Sequence, residues 1–228
     1  MRSSRIILAA FATFTLAACG DDDPVSPTPQ GRVRAVHAIS NAAAVDILFN
    51  TSSYKTNVAY KATDGYKSTA VGTTAVKFRK TGAATDLLSA NAPVANAADY
   101  TVIALGTEAA PQSMVLTDNN TAPATGKVRF RAIHAAAAAG AVDVYVLTNA
   151  NELAAATPAK ANLAAKAASE YIDRDAGTYV VIFTEAGNKT PVLTMSAVQV
   201  AAGGIRSIVA VEKAGGGAPL EGIALTDR

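Results

Sequence analysis

The chain contains only two histidines, His37 and His134, and each is followed nine residues later by an aspartate, Asp46 and Asp143. An imidazole beside a carboxylate can act as a general base, or as a metal ligand held by its orienting partner. Inside a core, the same pair satisfies buried polar groups and fixes strand register. Both pairs fall at equivalent positions of a duplicated sequence, and a catalytic pair is seldom needed twice. We therefore interpret all four residues as structural polar pairs.

The sequence carries no other pattern typical of catalysis or of a transition-metal site. The two histidines and the single cysteine, Cys19, give no compact ligand set for zinc. No G-x-S-x-G elbow and no phosphate-binding loop occur. A calcium site built from Asp21-Asp22-Asp23, or from Asp173 with Asp175, stays open as an alternative. We predict no catalytic residue, no metal and no cofactor.

The start of the chain has the layout of a secretory signal. Arg2 and Arg5 precede an apolar run over residues 6–18. The last residues of that run are small, and Cys19 follows them directly. That run is too short to cross a bilayer. A cysteine directly after the small residues resembles the bacterial lipoprotein signal, in which the thiol carries lipid such as palmitate. We predict a signal peptide over residues 1–18 and lipidation of Cys19.

Residues 19–30 are predicted to form a lipid-anchored linker. Pro24, Pro27 and Pro29 favour an extended, semi-rigid spacer that holds the folded part away from the membrane. Gly20, rather than an aspartate, follows Cys19. By resemblance to enterobacterial sorting rules, this favours the outer membrane in a cell that has one, on either its periplasmic or its surface face.

The charge balance excludes one class of partner. Removal of residues 1–18 takes away Arg2 and Arg5 and leaves 18 basic and 18 acidic residues. A near-neutral chain lacks the basic face that nucleic acid requires. We therefore expect contact with the membrane only through the N-terminal lipid, and no nucleic-acid partner.

The remainder of the chain is predicted to be a tandem repeat. Residues 34–38 (RAVHA) recur as 131–135 (RAIHA), and Ala44-Val45-Asp46 recurs at the same offset of 97. Leu116-Thr117-Asp118 returns as Leu225-Thr226-Asp227 near the end. We predict one repeat over residues 31–120 and a second over 126–228, joined by turn-forming residues.

Each repeat has the pattern of short β-strands. Thr74, Val76 and Phe78 alternate with less apolar residues, as in a strand with one wet face. Seven or eight such strands in about 100 residues fit an immunoglobulin-like architecture. The predicted fold class is all-β, with two tandem immunoglobulin-like antiparallel β-sandwiches. Residues 151–169 contain good helix formers, which predict a short helix or helical turn in the second repeat.

These motifs resemble a bacterial family known as domain of unknown function 4397. The resemblance rests on residues 33–38, 44–47 and 100–104, together with Tyr66 and the Gly72-Thr73 pair. It implies a secreted or lipid-anchored protein, often with the domain in tandem, and implies no activity. The second repeat departs at Arg206-Ser207-Ile208, which stands in place of Tyr100-Thr101-Val102.

The sequence thus favours a non-enzymatic, lipid-anchored binding or scaffolding module of the cell envelope, with an envelope protein or glycan as its partner. One alternative is an envelope hydrolase or carbohydrate-processing accessory that uses loop carboxylates. Another is a purely structural spacer. An apolar patch at one end of a sandwich would favour binding, and a cleft with converging carboxylates would favour an enzyme.

Overall fold

The computed structural model describes residues 28–228, whose regular secondary structure is almost entirely β-strand. The predicted all-β fold class is confirmed. The predicted signal peptide 1–18, the lipidation site Cys19 and Asp21-Asp22-Asp23 lie outside the described residues.

The first half of the described chain contains eight strands in two four-stranded sheets. The strands are β1 (Gln30–Ile39), β2 (Val45–Phe49), β3 (Ser52–Val58), β4 (Lys67–Ala70), β5 (Gly72–Lys80), β6 (Leu88–Val94), β7 (Asp99–Thr107) and β8 (Ala110–Asp118). One sheet has the order β4-β1-β7-β8 and the other β3-β2-β5-β6. A hydrophobic core fills the space between them.

The second half follows the same plan with nine strands and one 3-10 helix. They are β9 (Lys127–His134), β10 (Val142–Leu147), η1 (Ala150–Ala154), β11 (Lys160–Leu163), β12 (Ala167–Ala168), β13 (Ile172–Asp175), β14 (Gly177–Glu185), β15 (Pro191–Val200), β16 (Ile205–Val211) and β17 (Glu221–Thr226). The sheets have the orders β12-β9-β16-β17 and β11-β10-β14-β15, and β13 also pairs with β9. Strand β13 takes the place that β4 has in the first half, and β12 takes the place of the isolated bridge between Val36 and Thr63.

Strand β5 shows how the sequence pattern builds the core. Thr74, Val76 and Phe78 are buried between the sheets, whereas Lys77 and Arg79 on the opposite face are partly exposed. Successive side chains of a strand point to opposite faces, so this alternation fixes which face meets the core.

Each half contains one parallel strand pair among its antiparallel ones. Strand β1 runs parallel to β7, and β9 runs parallel to β16. These central strands are buried on both faces and read as nearly continuous apolar runs. Their second face meets the other half, where Val36 and Ile103 pack in one cluster with Ile133 and Val209. The two sandwiches are therefore packed sheet against sheet.

The helix-forming segment 151–169 contributes little helix. The 3-10 helix η1 is the helical turn that the composition predicts, and strand β11 follows it. Leu153 in η1 packs against Tyr145 and Ile182 on the outer face of the β10–β14 sheet. The extra residues of the second half thus cover apolar surface outside the main core.

Candidate functional site

Both histidines lie in the interior, at equivalent places on β1 and at the end of β9. Each is 0% exposed. The Nε2 atom of His37 lies 3.2 Å from the Ala43 carbonyl oxygen, and that of His134 lies 2.9 Å from the Gly140 oxygen. Burial lowers the pKa of both rings below the usual 6.5, although these carbonyl contacts oppose the shift.

The aspartates bind elsewhere, so the expected His–Asp pairing needs correction. Asp46 accepts hydrogen bonds from the Asn57 backbone N–H at 2.9 Å and from the Thr81 hydroxyl at 3.1 Å. Asp143 accepts from the backbone N–H groups of Asn162 at 2.7 Å and Gly187 at 2.9 Å. Nearby donors therefore satisfy each carboxylate, and a nearby carbonyl contacts the Nε2 atom of each imidazole, whereas the buried Nδ1 of His134 has no partner among the described residues. Each of the four residues therefore forms its own local polar contacts, and the histidines do not pair with the aspartates.

A second set of polar residues joins the two halves and was not predicted. Arg34 donates Nη2–H to Asp227 of the other half. Reciprocally, Arg131 donates Nη2–H to Asp118 across 2.5 Å. All four side chains are at most 3% exposed.

Each arginine also donates a hydrogen bond to a side-chain hydroxyl of its own half. The Arg34 Nε–H donates to Thr101 Oγ1 at 2.9 Å, and Thr101 donates on to Asp118 at 2.5 Å. In the second half, Arg131 and Ser207 make the corresponding bonds, with Ser207 donating to Asp227 at 2.6 Å. We call these six residues the reciprocal network. It follows a pseudo-twofold pattern, and it fixes how the two sheets meet.

Tyrosines complete the network on each side. The Tyr66 ring stacks on Arg34, with 4.5 Å from the guanidinium carbon to the ring centre, and its hydroxyl donates to Asp118 at 2.6 Å. The Tyr171 ring centre lies 5.2 Å from the guanidinium carbon of Arg131, and the Tyr171 hydroxyl accepts the Asn119 backbone N–H at 3.0 Å. Such stacking suits the planar guanidinium group and leaves its edges available for hydrogen bonds.

The sequence did contain a signal for this network. Arg34 and Arg131 are charged residues inside otherwise apolar strands, and both recur at the repeat spacing, as do Asp118 and Asp227. Ser207, part of the segment that departs from the first repeat, keeps the hydroxyl that Thr101 supplies. Sequence alone could not show that each arginine pairs with the aspartate of the opposite half.

An apolar cleft of about 450 Å³ opens at one end of the second sandwich. Small or aliphatic residues form most of its lining, and two polar residues, Glu185 and Asn188, lie at it. The apolar lining consists of Ala139, Gly140, Ala141, Val142, Ala186, Val192, Ala218 and Leu220. We call this the second-half cleft. A smaller compartment of about 140 Å³ continues it and shares Ala139, Ala218 and Leu220.

The long β16–β17 connection builds one wall of this cleft. In the first half, β7 and β8 are joined at the pair Thr107 and Ala110, whereas pairing between β16 and β17 ends at Val211 and Glu221. The intervening loop carries Leu220, which is buried and donates its backbone N–H to Val192 at 3.0 Å. The loop thus places an apolar side chain where the first half has only a tight turn.

Glu212 anchors the same loop between the two halves. Its side chain is 6% exposed and accepts the Ala138 backbone N–H at 3.1 Å and the Ser40 hydroxyl at 3.3 Å. The Gly215 N–H donates to the Ser40 carbonyl at 2.7 Å. Gly215, like its two following glycines, has a positive φ that glycine adopts at low cost. The loop is therefore held against the first half rather than projecting into solvent.

The corresponding end of the first half is smaller and differently charged. A pocket of about 240 Å³ there is lined by Lys80, Leu87 and Glu108 among others, and Lys80 forms an ion pair with Glu108. At the repeat offset of 105, Glu185 occupies the position of Lys80. The second half therefore presents a carboxylate where the first half presents an ammonium group.

Within residues 28–228, no group of three or more His, Cys, Asp or Glu side chains is placed to hold a metal ion. Asp175, one of the calcium candidates, accepts Lys127 Nζ at 2.6 Å instead. In the same part of the chain, no helix combines the length and apolarity needed to cross a bilayer.

These features define a β-sandwich protein with an internal buried ion-pair interface and an apolar cleft at one end. Residues 31–145 match the family described as Domain of unknown function (DUF4397), and the chain belongs to that family. The match covers the whole first half and continues through β9 into β10. No curated protein matches the chain.

Proposed function

We propose that this protein is a lipid-anchored module of the bacterial cell envelope that binds or scaffolds a partner through the second-half cleft. The cleft is the observation that carries the proposal. It is concave and mainly apolar, with a few polar groups at its edge, as is usual for binding sites. It lies at one end of a sandwich, where loops meet and where recognition surfaces commonly form.

The anchor and the duplication are parts of the same proposal. Cys19 carries lipid, residues 19–30 act as a spacer, and residues 31–120 and 126–228 are tandem copies of the family domain. The shared strand order of the two halves supports the duplication. The reciprocal network links the two copies through buried ion pairs, which suits a module that presents a cleft at a set distance from a membrane.

Two features favour binding over the alternatives. A hydrolase would need converging reactive groups, whereas the acidic residues that line the cleft and its smaller compartment, Glu185 and Glu212, line one compartment each. A plain spacer has no need of the larger loop and the apolar wall that distinguish the second half from the first.

Site-specific photocrosslinking in intact cells tests the proposal. A photoreactive residue in place of Ala186, in the cleft, should give an adduct with a defined envelope component. The matched control replaces Ala84, an exposed alanine on the corresponding turn of the first half, and should give none. Adducts of equal yield at both positions, or none at Ala186, would contradict a binding role for the cleft.

A further inference from the structure

The charges at the second-half cleft carry information about its ligand. Glu185 lines the outer compartment and Glu212 lines the inner one, and neither forms an ion pair with a residue in 28–228. The only side-chain hydrogen bond to Glu185 among those residues comes from Asn188 Nδ2, at 2.8 Å. Carboxylates retain further acceptor positions after one or two such bonds. The cleft therefore combines an apolar lining with uncompensated negative charge.

The first half provides a comparison, because a lysine and a carboxylate form an ion pair at its equivalent end. At its equivalent end, the Lys80 ammonium group is paired with Glu108 beside the aliphatic side chain of Leu87. In the second half, Glu185 replaces Lys80 and the lining is enlarged and made more apolar by Leu220. The second half therefore has a carboxylate at the position of the first-half lysine, and among residues 28–228 no basic side chain forms an ion pair with it.

From this complementarity we propose that the second-half cleft receives a lysine side chain of a partner protein; this inference rests on the binding function proposed above. The four-carbon stem of the lysine lies along the wall formed by Ala139, Ala186 and Leu220. Its ammonium group remains at the mouth and pairs with Glu185. Long basic side chains bind in this manner, with the stem on apolar surface and the charge toward water.

Glu212 adds to this preference from the inner compartment. It lines the smaller compartment, is only 6% exposed, and contributes negative potential there. An acidic ligand would face two carboxylates of like charge, and like-charge contacts oppose binding. A neutral aliphatic side chain would fill the cleft but leave Glu185 unpaired.

Two small probes test the proposal on the folded protein. Nα-acetyl-lysine N-methylamide carries the proposed side chain, and Nα-acetyl-norleucine N-methylamide keeps the stem but lacks the charge. Binding is measured from the shifts of backbone amide resonances around Ala139 and Ala186. We expect the lysine probe to bind up to about fivefold more tightly than the norleucine probe, the upper end of the range for an exposed ion pair.

Substitutions identify the source of the difference. Glu185→Gln should make the two probes equal, whereas Glu108→Gln, the same change at the equivalent end of the first half, should leave the preference intact. Equal binding of both probes to the unaltered protein would overturn the lysine proposal and leave an apolar binding site. Absence of shifts at the cleft with either probe would also overturn it. In both cases, crosslinking from Ala186 would still test the proposed binding function independently of the lysine proposal.

Discussion

Replacement of Asp227 by alanine should destabilise the whole chain, because it leaves the Arg34 guanidinium buried without its main partner. Arg34 is 1% exposed, and the Asp227 side chain is 0% exposed. Removal of one partner of a buried pair costs about 3–5 kcal/mol. Asp118 lies 4.0 Å from the same guanidinium and retains part of the attraction. We therefore expect a loss near the lower end, about 3 kcal/mol.

Urea denaturation and thermal unfolding measure this loss. For a chain of this size, 1 kcal/mol corresponds to about 2–4 °C in Tm, so the expected decrease is about 6–12 °C. Arg34→Met combined with Asp227→Ala should recover most of it, since the double variant leaves no unpaired buried charge.

The exposed pair of Lys127 and Asp175 provides the control. The Asp175 side chain is 81% exposed, and Asp175→Ala should leave the unfolding midpoint unchanged. If Asp227→Ala were as mild as Asp175→Ala, the reciprocal network would not be what holds the two halves together.

Three further predictions concern the anchor and the histidines. Cys19→Ala should abolish incorporation of labelled fatty acid and release the protein from the membrane fraction; label retained in the variant would refute the anchor. His134→Ala should lower the free energy of unfolding by about 1–3 kcal/mol, because it empties a fully buried side-chain position and removes the contact with the Gly140 carbonyl; an unchanged urea midpoint would refute this. Finally, stability should fall as the pH drops below about 6.5, where the unfolded histidines take up protons that the folded ones, with lowered pKa, resist. The slope contributed by each histidine is at most about 1.4 kcal/mol per pH unit. His37→Gln with His134→Gln should flatten the stability profile between pH 5 and pH 6.5, and an identical slope in this double variant would assign the effect to other groups.

The β-architecture could be predicted because it depends on local patterning. Alternation at Thr74, Val76 and Phe78 specifies the buried face of β5 directly. The buried runs of β7 and β16 were equally visible, but their parallel pairing with β1 and β9 was not. Parallel pairing joins strands far apart in sequence, and short-range patterns contain no information about which distant strand is the neighbour.

The polar sites were harder to predict for a related reason. His37 and Asp46 are nine residues apart in sequence, but backbone groups nearer to each side chain satisfy both of them first. Buried polar atoms take the partners that the fold brings within reach, which a spacing cannot reveal. The cleft depends on a loop, 212–220, whose position rests on the hydrogen bond from Leu220 to Val192 and on the contact of Glu212 with Ser40, which are contacts between residues far apart in sequence.

The most direct test of a binding role for the second-half cleft uses its two walls together. A photoreactive residue at Ala218 should crosslink the envelope partner in intact cells, and Ala186→Leu on the other wall should abolish that adduct by filling the cleft. The same photoreactive residue combined with Ala84→Leu, at the corresponding turn of the first half, should crosslink as strongly as in the otherwise unaltered protein. An adduct from Ala218 that persists when Ala186→Leu fills the cleft would contradict the proposed function.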